Sequence, residues 1–170
     1  MRIRFYKAAG YPFRQVRNED AGGEEATMNR ILFATVDRAR LKEFAGAMAA
    51  GGEVEIAWAD SGAAALADVM TQPPLAVIVD ATLPDMDGLE LVRRLLPINA
   101  MIYTAVISDL PAERFHEASE GLGVLAQLPP QPTPAQATEL LGRLKRLSRG
   151  FTLSTGTTPT LPQTGGSHRP

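Results

Sequence analysis

The chain has no cysteine, which excludes a disulfide framework, a thiolate metal site and a cysteine nucleophile. Histidine is nearly as scarce, at His116 and His168, too few ligands for an all-protein zinc site of the usual kind. Any chemistry must therefore use oxygen. Charge imbalance is lacking too. A formal net charge of -2 gives no basic field for nucleic-acid phosphates, and the one positive cluster, Arg143, Lys145, Arg146 and Arg149, reads as a solvated helix end. No apolar run reaches the length of a membrane span, and Met1 to Lys7 lack the apolar stretch of a signal peptide. Neither a membrane nor a nucleic-acid partner is expected, and the expected location is the cytoplasm.

What is present suits a single core. With 170 residues, 45% of them hydrophobic, the chain can bury enough apolar surface for one α/β domain. Residues 1–27 end in the polar, glycine-rich run Asn18 to Thr27 and read as a flexible N-terminal extension, with Met28 an alternative start. Residues 149–170 are rich in Thr, Gly, Pro and Ser and read as a disordered tail, too short and polar to form an output domain. Between them, residues 28–148 alternate short apolar runs with helical patterns, the mark of βα units wound into a parallel sheet.

Ile31 to Val36 predicts the first strand, followed by Leu41, Phe44, Ala45 and Met48 at helical spacing. Glu53 to Ala57 alternates as an edge strand does, and Ser61 is placed to cap a helix carrying Leu66, Val69 and Met70 inward. Leu75 to Val79 is wholly apolar, as a central parallel strand requires, and it ends at Asp80. The turn Asp85-Met86-Asp87-Gly88 leads to a helix with Leu89, Val92, Leu95 and Leu96 inward. Met101 to Ile107, the helix after Pro111, the strand Val124 to Leu128 and a helix capped by Thr133 with Leu140, Leu141, Leu144 and Leu147 inward complete five β and five α elements.

Open parallel sheets bind ligands outside the carboxyl ends of their strands, so the residues ending each run carry the candidate chemistry. These are Val36-Asp37, Asp80, Ser108 and Leu128 to Gln131. An aspartate at that edge could bind a hard divalent cation or attack phosphorus.

Val77 to Asp80, the loop Ala81-Thr82-Leu83-Pro84-Asp85-Met86-Asp87-Gly88 and Leu89-Glu90-Leu91 resemble the third strand, phosphoacceptor loop and third helix of the response-regulator receiver family. Glu53 to Ala57 with Asp60 to Leu66 is similar to its second strand and helix, so the resemblance spans residues 28–148. It implies a flavodoxin-like fold, (βα)5 doubly wound, with strand order 2-1-3-4-5. It also implies Asp80 as phosphoacceptor and the Thr82 carbonyl as a magnesium ligand, with Pro84 and Gly88 as loop residues. The acidic pair that ends the family's first strand admits two registers. Asp37 is the second acid with Val36 in the first place, or Thr35 and Val36 fill both places and no acid remains; the helix pattern favours the first. Ser108 matches the phosphoryl-binding hydroxyl, with Thr104 as the alternative.

The family's Lys-Pro at the end of the fifth strand is missing. Leu128 or Pro130 stands at the lysine, and the chain's lysines, Lys7, Lys42 and Lys145, lie elsewhere. The aromatic of that strand is replaced by Leu125 or Gln127. Opposite charges at ~4 Å in a partly solvated site interact by about 4 kcal/mol gross, so the loss removes a strong anchor for a phosphoryl group. An arginine or a partner is the alternative source of that charge.

The expected function is accordingly an atypical stand-alone receiver, not an enzyme beyond self-phosphorylation, with at most a weak magnesium site at Asp37, Asp80 and Thr82. It would dock a sensor histidine kinase, another signalling protein or a second copy through its fourth helix, fifth strand and fifth helix. An ordinary phosphorylatable receiver using Asp37, Asp80 and Ser108 is the alternative. An enzyme or nucleotide-binding protein on the same architecture is the less favoured reading, since no phosphate loop follows the first strand, where Asp37-Arg38-Ala39-Arg40 stands. Leu161-Pro162-Gln163-Thr164-Gly165 matches a wall-sorting pentapeptide without the hydrophobic stretch that should follow. His116 with Glu113, Glu117 and Glu120 reads as a solvated helix face.

Overall fold

The computed structural model describes residues 29–149, so the two expected terminal extensions, and the sorting-like pentapeptide with them, lie outside the described residues apart from Arg149. The strands are β1 (Asn29–Ala34), β2 (Val54–Ala59), β3 (Ala76–Asp80), β4 (Tyr103–Ile107) and β5 (Val124–Leu128). The helices are α1 (Lys42–Ala49), α2 (Gly62–Thr71), α3 (Gly88–Leu95), α4 (Ala112–Ser119) and α5 (Pro134–Arg149). All strand pairs are parallel and the order is β2-β1-β3-β4-β5, as the resemblance implies.

Why the sheet is central follows from its sequence. All residues of β3 are buried, because helices cover both its faces. On one face Ile31, Phe33 and Ile78 meet Phe44 and Met48 of α1 and Leu140 and Leu144 of α5. On the other, Leu32, Val77 and Val79 meet Val69 of α2, Leu91 and Leu95 of α3 and Phe115 of α4. A fully buried Leu or Phe contributes about 1.5–3 kcal/mol, so these two layers dominate stability.

Local signals fix the ends. Ser61 Oγ accepts the Ala64 N–H at 3.1 Å, as expected of a cap. Thr133 and Gln136 form a reciprocal capping box at α5, where Gln136 Oε1 accepts the Thr133 N–H at 2.9 Å and Thr133 Oγ1 the Gln136 N–H at 3.4 Å. Half-buried Arg30 at the start of β1 holds both oxygens of Asp68 on α2, at 2.7 and 2.8 Å.

Two helix faces depart from expectation. Met70 is 71% exposed, because α2 buries Gly62, Ala65 and Val69 and Met70 lies one step further round. Leu147 is also exposed: α5 buries Ala137, Leu140 and Leu144, and Leu147 lies a turn beyond them, towards the helix end. One irregularity interrupts the sheet. The β4–β5 register shifts between Thr104 and Ala105, leaving Leu125 without a partner in β4, and its carbonyl accepts from Arg143 Nη2 at 3.2 Å.

Candidate functional site at the carboxyl edge of the sheet

Asp80 ends β3 and is buried. The β1–β3 register pairs Ala34 with Val79, and one further step sets Thr35 level with Asp80. Thr35 is fully buried and its hydroxyl donates to Asp80 Oδ2. Val36, next along, is 60% exposed. The register favoured by the helix pattern is thus not the one formed. Leu41, Phe44 and Met48 do pack inward, but the intervening residues 38–41 form a turn and not helix, so counting back along a helix misplaces the strand end.

Asp37 is correspondingly displaced from its expected role. Its side chain is 54% exposed, its Oδ1 accepts the backbone N–H of Arg40 at 3.0 Å, and its own N–H donates to Thr35 Oγ1 at 3.1 Å. The Asp37 side chain thus caps the turn at residues 38–41 that precedes α1. Its consequence is the position of Arg40.

Arg40 lies outside the expected set of site residues, yet it contacts both carboxylate oxygens of Asp80. Its Nη2 donates to Asp80 Oδ1 at 2.5 Å and to Oδ2 at 2.7 Å, and its Nη1 donates to the Pro130 carbonyl in the β5–α5 loop. The two side chains are 24% and 11% exposed, so the pair is largely withdrawn from water and screened less than a surface pair. The sequence signal was slight: a missing lysine, and an arginine three residues after an aspartate at a strand end.

The loop after β3 is rigidly built. Gly88 N–H donates to the Ala81 carbonyl at 2.8 Å, Leu83 N–H to Met86 O at 3.0 Å, and Thr82 pairs with Asp87 in an isolated antiparallel bridge. Asp87 caps α3 through the Glu90 N–H at 2.7 Å. The Asp85 carboxylate accepts the N–H groups of Ala63 and Gly62 at the start of α2, both at 2.8 Å, and these bonds hold it below the ordinary aspartate pKa.

Ser108 and Thr104 are both buried, and register separates them. Asp80 pairs with Ile107, so Ser108 lies one residue past it, whereas Thr104 is level with Val77, roughly 10 Å back along the sheet. Ser108 Oγ accepts the Leu110 N–H at 3.2 Å. Leu128 ends β5 immediately before Pro129 and is buried against the α1 and α5 layer. Pro130 contributes its carbonyl to Arg40. Gln127 donates to the Leu110 carbonyl at 2.7 Å, tying the β4–α4 loop to β5, while Leu125 occupies the bulge. His116 is exposed on α4, and among the described residues no group of three metal-ligating side chains occurs.

The fold built by these elements is that of response-regulator receiver domains. A CheY-like receiver domain protein from Methanospirillum hungatei is 22% identical, with a TM-score of 0.62 over 72% of this chain and 98% of its own. The receiver domain of AraT from Geobacillus stearothermophilus is 19% identical, with a TM-score of 0.65 over 74% and 99%. The N-terminal domain of an uncharacterized protein from Wolinella succinogenes is 22% identical, with a TM-score of 0.64 over 72% and 98%. No protein-family model and no curated protein matches the chain. No helix among the described residues is long and apolar enough to cross a membrane.

Magnesium, which the fold family implies, requires several oxygen ligands around it. Here Thr35 and Val36 follow β1 where carboxylates would be needed, Asp37 turns to Arg40, and a guanidinium sits on both Asp80 oxygens. These residues do not fit the ion.

Proposed function

We propose that this domain is a receiver acting in two-component signalling as a protein-docking module, through the surface of α4, β5 and α5, without requiring a phosphoryl group on Asp80. The carrying observation is the contact of the Arg40 Nη2 group with both carboxylate oxygens of Asp80. A carboxylate attacks phosphorus through a free oxygen, and the transfer is catalysed by cations on the moving group. At Asp80 both oxygens are engaged, and the cation sits on the nucleophile. The Gln127 bond to the Leu110 carbonyl supports the same reading, since it holds the loop between β4 and α4 to the strand that would otherwise carry a mobile aromatic. The partner is a sensor kinase, another signalling protein or a second copy, and no enzymatic activity is proposed.

One observation favours a second reading, an ordinary phosphorylatable receiver in which Arg40 replaces the missing lysine. A guanidinium is well suited to bind phosphate in a bidentate manner, and Ser108 stands one residue beyond the level of Asp80. Incubation with magnesium and a small-molecule phosphodonor, beside a receiver that reacts, separates the two by intact mass. No adduct on the wild type is expected. An adduct abolished by both Asp80→Asn and Arg40→Ala would establish the second reading instead.

A further inference from the structure

Arg40 binds two things at once, and the second has consequences of its own. One amino group of its guanidinium holds both oxygens of Asp80, and the other donates to the backbone carbonyl of Pro130. The side chain therefore spans from the end of β3 to the loop that connects β5 with α5. Its origin is fixed as well, because Asp37 accepts the Arg40 backbone N–H and lies 3.8 Å from Nε. In the receiver pattern the positive charge beside the acceptor comes from the end of β5. Here that place holds buried Leu128, and the charge arrives from the opposite wall, out of the turn before α1.

We infer that Asp80 serves this domain as the anchor of Arg40, and that the ion pair is the positioning element that holds the β5–α5 loop against the sheet. This rests on the docking reading, since the loop borders the proposed partner surface, and it names what keeps that surface in place. The segment Leu128-Pro129-Pro130-Gln131-Pro132 has few backbone donors of its own, because proline lacks an N–H. A bond to the Pro130 carbonyl from outside the loop is therefore a large share of what can fix it. Arg40 reaches that carbonyl in the right direction only while the carboxylate orients its guanidinium. Removing the negative charge at Asp80 frees Arg40 and, through it, the loop.

The test is a double-mutant cycle in buffer free of phosphate and phosphodonor, with Arg40→Gln, Asp80→Asn and the double variant followed by urea unfolding and by the amide resonances of Gln131 and Thr133. Each single change is expected to lower the folding equilibrium constant by about tenfold, and the second change in the presence of the first by less than about threefold. The same two amides should shift in both single variants, and Arg40→Lys should restore them in part. Additive effects, or Gln131 and Thr133 resonances that Asp80→Asn leaves unmoved, would overturn the inference. A phosphoryl adduct on the wild type would instead defeat the docking reading alone, because the cycle is measured with no phosphodonor present.

Discussion

The carbonyl oxygen of Asp80 occupies the space into which a side chain at Gly88 would project: a Cβ built there would stand 2.3 Å from that oxygen. Gly88 cannot retreat easily, because its own N–H is bonded to the Ala81 carbonyl at 2.8 Å. Gly88→Ala is therefore expected to destabilise the domain by about 1–3 kcal/mol through overpacking against backbone. Urea unfolding checks this, with the midpoint falling and the slope unchanged.

Asp85 joins that same loop to the start of α2 through the N–H groups of Gly62 and Ala63. Its carboxyl is held below the ordinary value, first by the Ala63 bond and then by the Gly62 bond. A group whose pKa is depressed by folding contributes stability above its unfolded value, about 3.9, and loses it as the pH falls through the folded value. Asp85→Asn should therefore be less stable than the wild type near neutrality, and the two should converge in acid. Melting curves between pH ~7 and pH ~2 follow the convergence.

Magnesium offers a third test. A ligand that binds only the folded state raises its melting point, and at ~10 mM even a millimolar site would be visible. No rise is expected for the wild type. In the variant Thr35→Asp, Val36→Asp, Arg40→Ala, carboxylates return to both strand-end positions and the competing guanidinium is gone, so a magnesium-dependent rise is expected, read by thermal shift.

The α5 capping box makes a fourth, independent prediction. Thr133→Ala removes one half of the reciprocal bonds with Gln136 and is expected to cost about 1 kcal/mol. Arg40 and Asp80 should be unaffected, so a loss of stability without movement at the β3 end distinguishes this change from the substitutions at the ion pair.

Much of the fold was legible because its signals are local. The run Leu75 to Val79 declares a strand covered on both faces, and Ser61 and Thr133 declare helix starts. Met70 and Leu147 were misplaced for a geometric reason: a helix buries only the arc that touches the sheet, and an apolar residue one step round it, or one turn past it, meets water. The candidate site was less legible. Asp80 and Ser108 follow from strand ends, but the partner of Asp80 lies forty residues away on a long side chain, and its aim depends on the turn at residues 38–41, capped by Asp37, that stands in place of the first turn of a helix. Hydrophobic periodicity carries no trace of that substitution, and it led to Asp37 as the ligand when Thr35 is the residue level with Asp80.

The shift in register at Leu125 also bears on how anything can be joined to this molecule. β5 is an outermost strand, and a new strand laid beside it would need donors and acceptors at even intervals. The bulge puts them out of step, and Arg143 already occupies the Leu125 carbonyl. Addition of a strand at that flank is thereby disfavoured, which favours recognition of a companion protein there by side chains of α4 and α5 over borrowed backbone. Mispairing into stacked sheets is discouraged by the same device.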